Sequence, residues 1–184
     1  MKRIAKLLFE AKILKEIPRS GYHFLGAGKE SVAEHSFSAT FIAYVMSQLV
    51  PDVDALKLIS MCLIHDLPEA RIGDLNTVQK KYTNADEFKA IEDTIKGLAF
   101  GKSLADLVLE FRAGRSTEAK LAHDADQIAL ILELKDLMDI GYKPPKTWIQ
   151  NVISRLKTKT GHKIADAIMK TRRDEWWFKN TVDR

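Results

Sequence analysis

Leu58-Ile59-Ser60-Met61-Cys62-Leu63-Ile64-His65-Asp66-Leu67-Pro68-Glu69 holds the reading of the whole chain. An apolar run, interrupted only by Ser60, leads straight into a His-Asp pair, and a proline follows two residues later. The run predicts a helix over residues 54–66. Pro68 has no N–H for the carbonyl of Ile64, and its ring disfavours helical geometry at Leu67. The helix is therefore expected to break or kink directly after His65-Asp66, leaving both side chains at a helix end where they can face a cleft. Two adjacent polar groups that close an apolar helix are costly to bury without partners. A metal ion is one such partner, since it accepts an imidazole nitrogen and a carboxylate oxygen together. Cys62, the only cysteine, cannot form an internal disulfide and reads as a small buried hydrophobe.

Outward from this stretch the rhythm stays helical. Ser31 and Glu34 stand three apart and fit a capping box. That places His35 in the first turn of a helix whose largely apolar run, Phe37 to Val50, predicts a central position. Ile4, Leu7, Leu8, Ala11 and Leu14 give an amphipathic helix over 2–16, with Pro18 past its end and a glycine-containing loop from Arg19 to Lys29. Further helices are predicted over 84–99, 103–113 (Ser103 with Asp106 as cap), 117–139, 146–158 and 162–178. Gly141 with Pro144-Pro145 beyond it marks a helix stop. No segment alternates with period two, so little or no sheet is expected. The fold class is all-α: a single-domain helical bundle across residues 1–184.

Composition narrows the partners. The net charge of +4 comes from scattered basic residues, which do not indicate a nucleic-acid groove and would suit a small anionic substrate. No stretch approaches the ~20 apolar residues of a membrane span, and the N-terminal residues lack the pattern of a signal peptide. With no sign of an oxidising compartment, the expected location is cytoplasmic.

Adjacent residues on a helix point about 100° apart, so His65 and Asp66 can reach one ion but cannot complete its shell. His35, in the first turn of its own helix, and Asp126, which opens the apolar run Ile128 to Leu132, are the next candidates. Two imidazoles and two carboxylates suit one divalent ion: Mn, Co, Fe, Ni, Zn or Mg. From spacing alone the commoner alternative stands, in which each histidine is a hydrogen-bonded core residue and each aspartate a solvated or capping one.

The order of these residues, Val32-Ala33-Glu34-His35-Ser36, then Ile64-His65-Asp66-Leu67-Pro68-Glu69, then Asp126, resembles the HD superfamily of metal-dependent phosphohydrolases. Pro18-Arg19-Ser20-Gly21-Tyr22, Glu30-Ser31, Gly73-Asp74-Leu75 and Glu118-Ala119-Lys120 look most like its 5′-deoxynucleotidase branch. The likeness covers roughly residues 3–140. It implies a helical bundle of the HD type, with a metal-site core over about 19–140 and C-terminal helices over 146–178. It implies metal ligation by His35, His65, Asp66 and Asp126, catalytic roles for Glu69 and Asp74, and a phosphate contact at Arg19. Tyr22 stands where the family often has tryptophan after the arginine, on the sugar or base side. His123, three before Asp126, reads as lying outside the ligand set. Glu118 reads as a helix-start acid, and Trp176-Trp177 as packing or a subunit contact.

The implied activity is hydrolysis of (deoxy)nucleoside 5′-monophosphates to nucleoside and phosphate, by a homodimer. A phosphodiesterase or a hydrolase of more phosphorylated nucleotides would use the same ligands. A di-iron oxygenase would want further histidines near His65, which Leu63-Ile64 do not offer. A non-catalytic nucleotide-binding module would need neither Glu69 nor Asp74.

Overall fold

A computed structural model describes residues 1–182. Among them, regular structure is helical apart from an isolated antiparallel bridge between Pro18 and Ser31. The helices are α1 (Lys2–Ile13), α2 (Tyr22–Leu25), α3 (Val32–Leu49), α4 (Ala55–Ile64), α5 (Glu69–Ile72), α6 (Glu87–Ile95), α7 (Gly101–Ala113), α8 (Thr117–Asp139), α9 (Pro145–Ile153), α10 (Lys159–Lys170) and α11 (Glu175–Val182).

The centre is α3, α4 and α8 packed against one another. On α4, Leu58, Met61 and Cys62 are fully buried, and His65 continues the same face at spacings of three and four. Burying a Leu or Met side chain contributes roughly 1.5–3 kcal/mol, so these residues fix the rotation that swings His65 inward. On α3 the buried face is Val32, His35, Ser36, Ala39, Ile42, Ala43 and Met46. On α8, Ala119, Ala122, Ala125 and Ala129 let the other two helices approach closely. A smaller core of Leu7, Leu14, Val32 and Leu67 seats α1 against the start of α3 and the turn after α4.

The capping box at α3 is present in full: Ser31 Oγ accepts from the Glu34 N–H at 3.2 Å, and the Glu34 carboxylate accepts from the Ser31 N–H at 2.6 Å. α4 stops at Ile64 with His65 as its cap, and Pro68 opens the short α5.

Four expectations need correction. The loop 19–29 contains a helical turn, α2, ended by Gly26 in the left-handed region (φ 81°). α3 is central on one face only: Phe37, Phe41 and Tyr44 are exposed on the other. Ser103 does not cap α7, which starts at Gly101 without a side-chain cap. The helix expected over 162–178 is two. α10 begins earlier because Thr158 caps it, and the chain leaves it at Thr171 because the Arg173 N–H is drawn to Asp139 Oδ2 at 2.9 Å.

Asp124 ties α10 to the bundle. Fully buried on α8, it accepts from the N–H groups of Lys157 (2.7 Å) and Thr158 (2.9 Å) and from the Thr158 hydroxyl (2.6 Å). A Cβ at Gly161 would overlap this carboxylate. Asp124→Ala strands three donors, and each hydrogen bond to a charged group carries about 1.5–3 kcal/mol. Urea denaturation is expected to show a loss of about 3 kcal/mol or more, with metal stoichiometry unchanged.

Candidate metal centre

Three helices converge on one point. His35 comes from the first turn of α3, His65 from the end of α4 and Asp126 from the interior of α8. One ligand atom from each lies within 4.8 Å of the others. His35 Nε2 is 2.8 Å from Asp126 Oδ1, and His65 Nε2 is 4.0 Å from the same oxygen. Asp66 Oδ2 stands 3.1 Å from His65 Nε2 and 3.6 Å from Arg19 Nη1.

Local hydrogen bonds fix how the side chains point. The carbonyl of Cys62 lies 2.8 Å from His65 Nδ1 and assigns a proton to that nitrogen, so Nε2 is the atom that faces Asp66 and Asp126. Gln127 Nε2 donates to Asp126 Oδ2 at 2.7 Å. Arg19 is brought in by the backbone bridge, where its N–H donates to the Glu30 carbonyl at 2.8 Å. Asp74 is pinned to the same loop and accepts from the N–H of Ser20 at 2.7 Å.

The electrostatics describe a site that calls for a cation. Burial pushes Asp126 up, but the hydrogen bond and charge of His35 outweigh it and hold the carboxyl far below the usual range. Burial pulls Arg19 down, yet Asp66, Asp126, Asp74 and Glu69 together hold it above its ordinary value. Burial, then the charges of Asp66 and Asp74, push Glu69 up to about 9. Buried His65 Nε2, Asp66 Oδ2 and Glu69 Oε2 have no hydrogen-bond partner among the described residues. Orphaned polar atoms of this kind are expensive, and a divalent ion with nitrogen and oxygen ligands would satisfy them. The residues fit such an ion.

This arrangement has a measurable consequence in metal-stripped protein. Burial lowers His65, but the charge of Asp66 wins and raises it to about 9. His65 and Glu69 thus keep protons in the folded state that the unfolded chain releases nearer 6.5 and 4.5. The folded state binds more protons, so stability falls as pH rises from 6.5 through about 9. The melting temperature of the stripped protein is expected to drop over that window, each kcal/mol being about 2–4 °C for this size. Added divalent metal should flatten the slope, because its charge replaces the protons. A slope that is absent without metal, or unchanged by it, contradicts the cation-demanding site.

Other residues lie elsewhere. The Tyr22 hydroxyl is directed at Glu30 (3.4 Å) and Glu133 (3.3 Å). His123 stacks on Phe111 at 4.2 Å, with its Nε2 2.7 Å from the Phe111 carbonyl, outside the ligand cluster. Glu118 accepts from the N–H of Asp54 at the start of α4. Beside Arg19 and Asp74 opens a cleft of about 230 Å³, also lined by Tyr22, Phe24, Trp148 and Arg155. Trp148 and Arg155 come from beyond residue 140, where no sequence pattern marked them. Glu30 was legible only as part of the stretch Glu30-Ser31 that resembles the family, with no role of its own.

A bundle that draws His, His-Asp and Asp from three helices to one point is the layout of an HD domain. The family model described as HD domain matches residues 11–169, and the chain belongs to that family. The human 5′-deoxynucleotidase HDDC2 is 27% identical over 137 residues, 71% of this chain. The match spans 66% of that protein's length, just under two thirds. A conserved hypothetical protein from Pyrococcus furiosus superposes with a TM-score of 0.78 at 27% identity, over 91% of this chain and 99% of its own. A predicted metal-dependent phosphohydrolase from Magnetospirillum magnetotacticum shares the fold, with a TM-score of 0.71 at 21% identity, over 92% of this chain and 90% of its own.

Proposed function

We propose that this protein is a metal-dependent phosphomonoesterase that hydrolyses (deoxy)nucleoside 5′-monophosphates to nucleoside and phosphate. The observation that carries the reading is the cluster of His35, His65 and Asp126 beside Asp66 and Arg19, with the buried Glu69 carboxyl at its edge. The name of the human relative, a 5′-deoxynucleotidase, supports the substrate class. His35, His65, Asp66 and Asp126 hold one divalent ion, of the Mn, Co, Mg, Ni, Fe or Zn group. When bound, the ion supplies Lewis-acid polarisation of the phosphoryl group and lowers the pKa of water.

The chain's own residues do the rest. Arg19 neutralises phosphate charge with its rigid fork of donors. Glu69 orients the attacking water and takes its proton as the new P–O bond forms. As the bond from phosphorus to the 5′-oxygen breaks, Asp74, fixed by Ser20, orients the leaving group or assists its protonation. Trp148 and Phe24 offer apolar walls for the nucleoside end of the cleft.

A second reading, hydrolysis of a more phosphorylated nucleotide, is favoured by Lys80 and Arg155. Both line the same cleft, and neither has an ion pair among the described residues. The non-catalytic module is disfavoured by the orphaned Glu69 oxygen, which a mere scaffold has no reason to bury. The proposal extends to a single HD-type domain with its metal-site core at about 19–140 and C-terminal helices at 146–178. It also extends to a cytoplasmic location, consistent with a free buried Cys62 and with no described helix long and apolar enough to cross a membrane. A homodimer is supported by the exposed Leu8, Phe37 and Leu63 around an apolar groove between α1, α3 and α4. Phe37→Lys is expected to halve the mass seen by sedimentation, and a wild-type monomer would sink the dimer.

The deciding assay is phosphate release by metal-stripped protein from deoxy- and ribonucleoside 5′-monophosphates, with each metal restored in turn. Metal-dependent release from the deoxy set is expected. Silence across the panel with metal bound would reject this substrate class and favour the more phosphorylated nucleotides.

A further inference from the structure

The two histidines of the centre are supported differently. The Nδ1 of His65 has the Cys62 carbonyl at 2.8 Å, whereas the Nδ1 of His35 is buried with no hydrogen-bond partner among the described residues. The nearest charged group to it is Glu30, whose Oε2 lies 3.9 Å away. That is ion-pair range and long for a hydrogen bond, as functional contacts commonly are before a site is loaded.

Glu30 is an unusual residue to find there. It is 8% exposed, and burying a carboxylate is costly. Its backbone is rigid on both sides. Its carbonyl accepts from Arg19 across the bridge, and the next residue, Ser31, caps α3 one turn before His35. Its carboxylate accepts from the Tyr22 hydroxyl at 3.4 Å, and that hydroxyl also lies 3.3 Å from Glu133, two turns beyond Asp126 on α8. The loop makes room for this. Gly28 has φ 81°, and a Cβ there would strike the Tyr22 ring at 2.7 Å. A turn open only to glycine, the Tyr22 ring packed against it and two half-buried to buried acids are thus found together in this region.

We propose that Glu30 is a positioning residue for the metal centre: its carboxylate takes the Nδ1–H of His35, so that the Nε2 lone pair is the one offered to the ion, while Tyr22 and Glu133 hold Glu30 in place. An imidazole backed by a carboxylate is also a stronger donor than one backed by a carbonyl. His35 would then be the tighter of the two histidine ligands. The inference rests on the metal reading above and adds to it a residue that touches neither ion nor substrate.

The test is calorimetric titration of Mn²⁺ into the metal-stripped protein. Glu30→Ala is expected to weaken binding by about 10–100-fold, the usual cost of removing such a support. Glu30→Gln, whose amide oxygen can still accept from Nδ1, should restore most of that loss. Thermal melts confirm that each variant is folded. Should Glu30→Ala prove unfolded, Glu30→Asp, which keeps the charge but withdraws it by one methylene, is expected to bind Mn²⁺ more weakly than Glu30→Gln. Affinities of Glu30→Ala, or of Glu30→Asp in its place, within twofold of wild type would overturn the proposal. His35→Ala separates the two levels. If it binds Mn²⁺ as tightly as wild type, the metal reading itself fails and the Glu30 role with it.

Discussion

Glu69→Gln is expected to retain the metal and to lose between about 10²- and 10⁴-fold in kcat, the range that general acid–base groups supply. Gln preserves the shape of the side chain and can still orient water, but it cannot take a proton. The wild-type carboxyl is starved of partners: Oε2 is buried and unpaired among the described residues, and burial with the charges of Asp66 and Asp74 outweighs nearby Arg19 and His65 and pushes the group up to about 9. On the proposed reading, a metal ion at the cluster would draw it into the ionised form a general base needs. The same substitution removes a buried acid from a crowded anionic site, so metal-free stability above pH 7 should rise slightly. Near-wild-type turnover with full metal content would exclude Glu69 as the base.

Asp126→Ala is expected to cost more, with kcat/KM falling by about 10³-fold or further. Several kcal/mol of Lewis-acid stabilisation is lost when the ion is not held, and each 1.36 kcal/mol is about tenfold in rate. Among the described residues Asp126 forms ion-pair contacts with both imidazoles, at 2.8 Å from His35 and 4.0 Å from His65. Its removal also strands His35 Nε2 in a fully buried position. Breaking a buried pair from one side costs about 3–5 kcal/mol. The variant should therefore melt earlier than wild type even without metal, and excess Mn²⁺ should not rescue it. Metal analysis of purified protein and a melting curve read the two effects separately.

The sequence discloses the centre far better than its surroundings. Apolar spacing places α8 over 117–139, as observed, because its caps, Ser116 and the Ile140-Gly141 stop, are local. The end of α4 is legible for the same reason, since Pro68 acts on its immediate neighbours. Where long-range contacts decide, local patterns mislead. The break after α10 is set by the Arg173 N–H on Asp139 and by the ion pair of Arg173 with Asp136 at 2.8 Å, neither of which leaves a mark in the spacing. Thr158 as a cap depends on Asp124, over thirty residues away. Phe37 and Phe41 read as core because hydrophobicity alone cannot tell a packed face from an exposed one. Glu30 sits inside a visible motif, but its neighbour across the fold, Glu133, does not.

The three clustered residues of the candidate centre lie thirty and sixty-one residues apart along the chain, at positions 35, 65 and 126. Beyond the adjacent His65-Asp66 pair such a site has no local precursor, since its other pairs meet only when α3, α4 and α8 dock. Contacts of long sequence separation form late, once loop closure has been achieved. An ion held there would therefore recognise only the finished bundle, and an unfolded or half-folded chain would compete poorly for it. By mass action a ligand at a hundred times its Kd adds about 2.7 kcal/mol to the folded state. On the proposed reading, metal supply would act on how long this protein survives as well as on how fast it turns over.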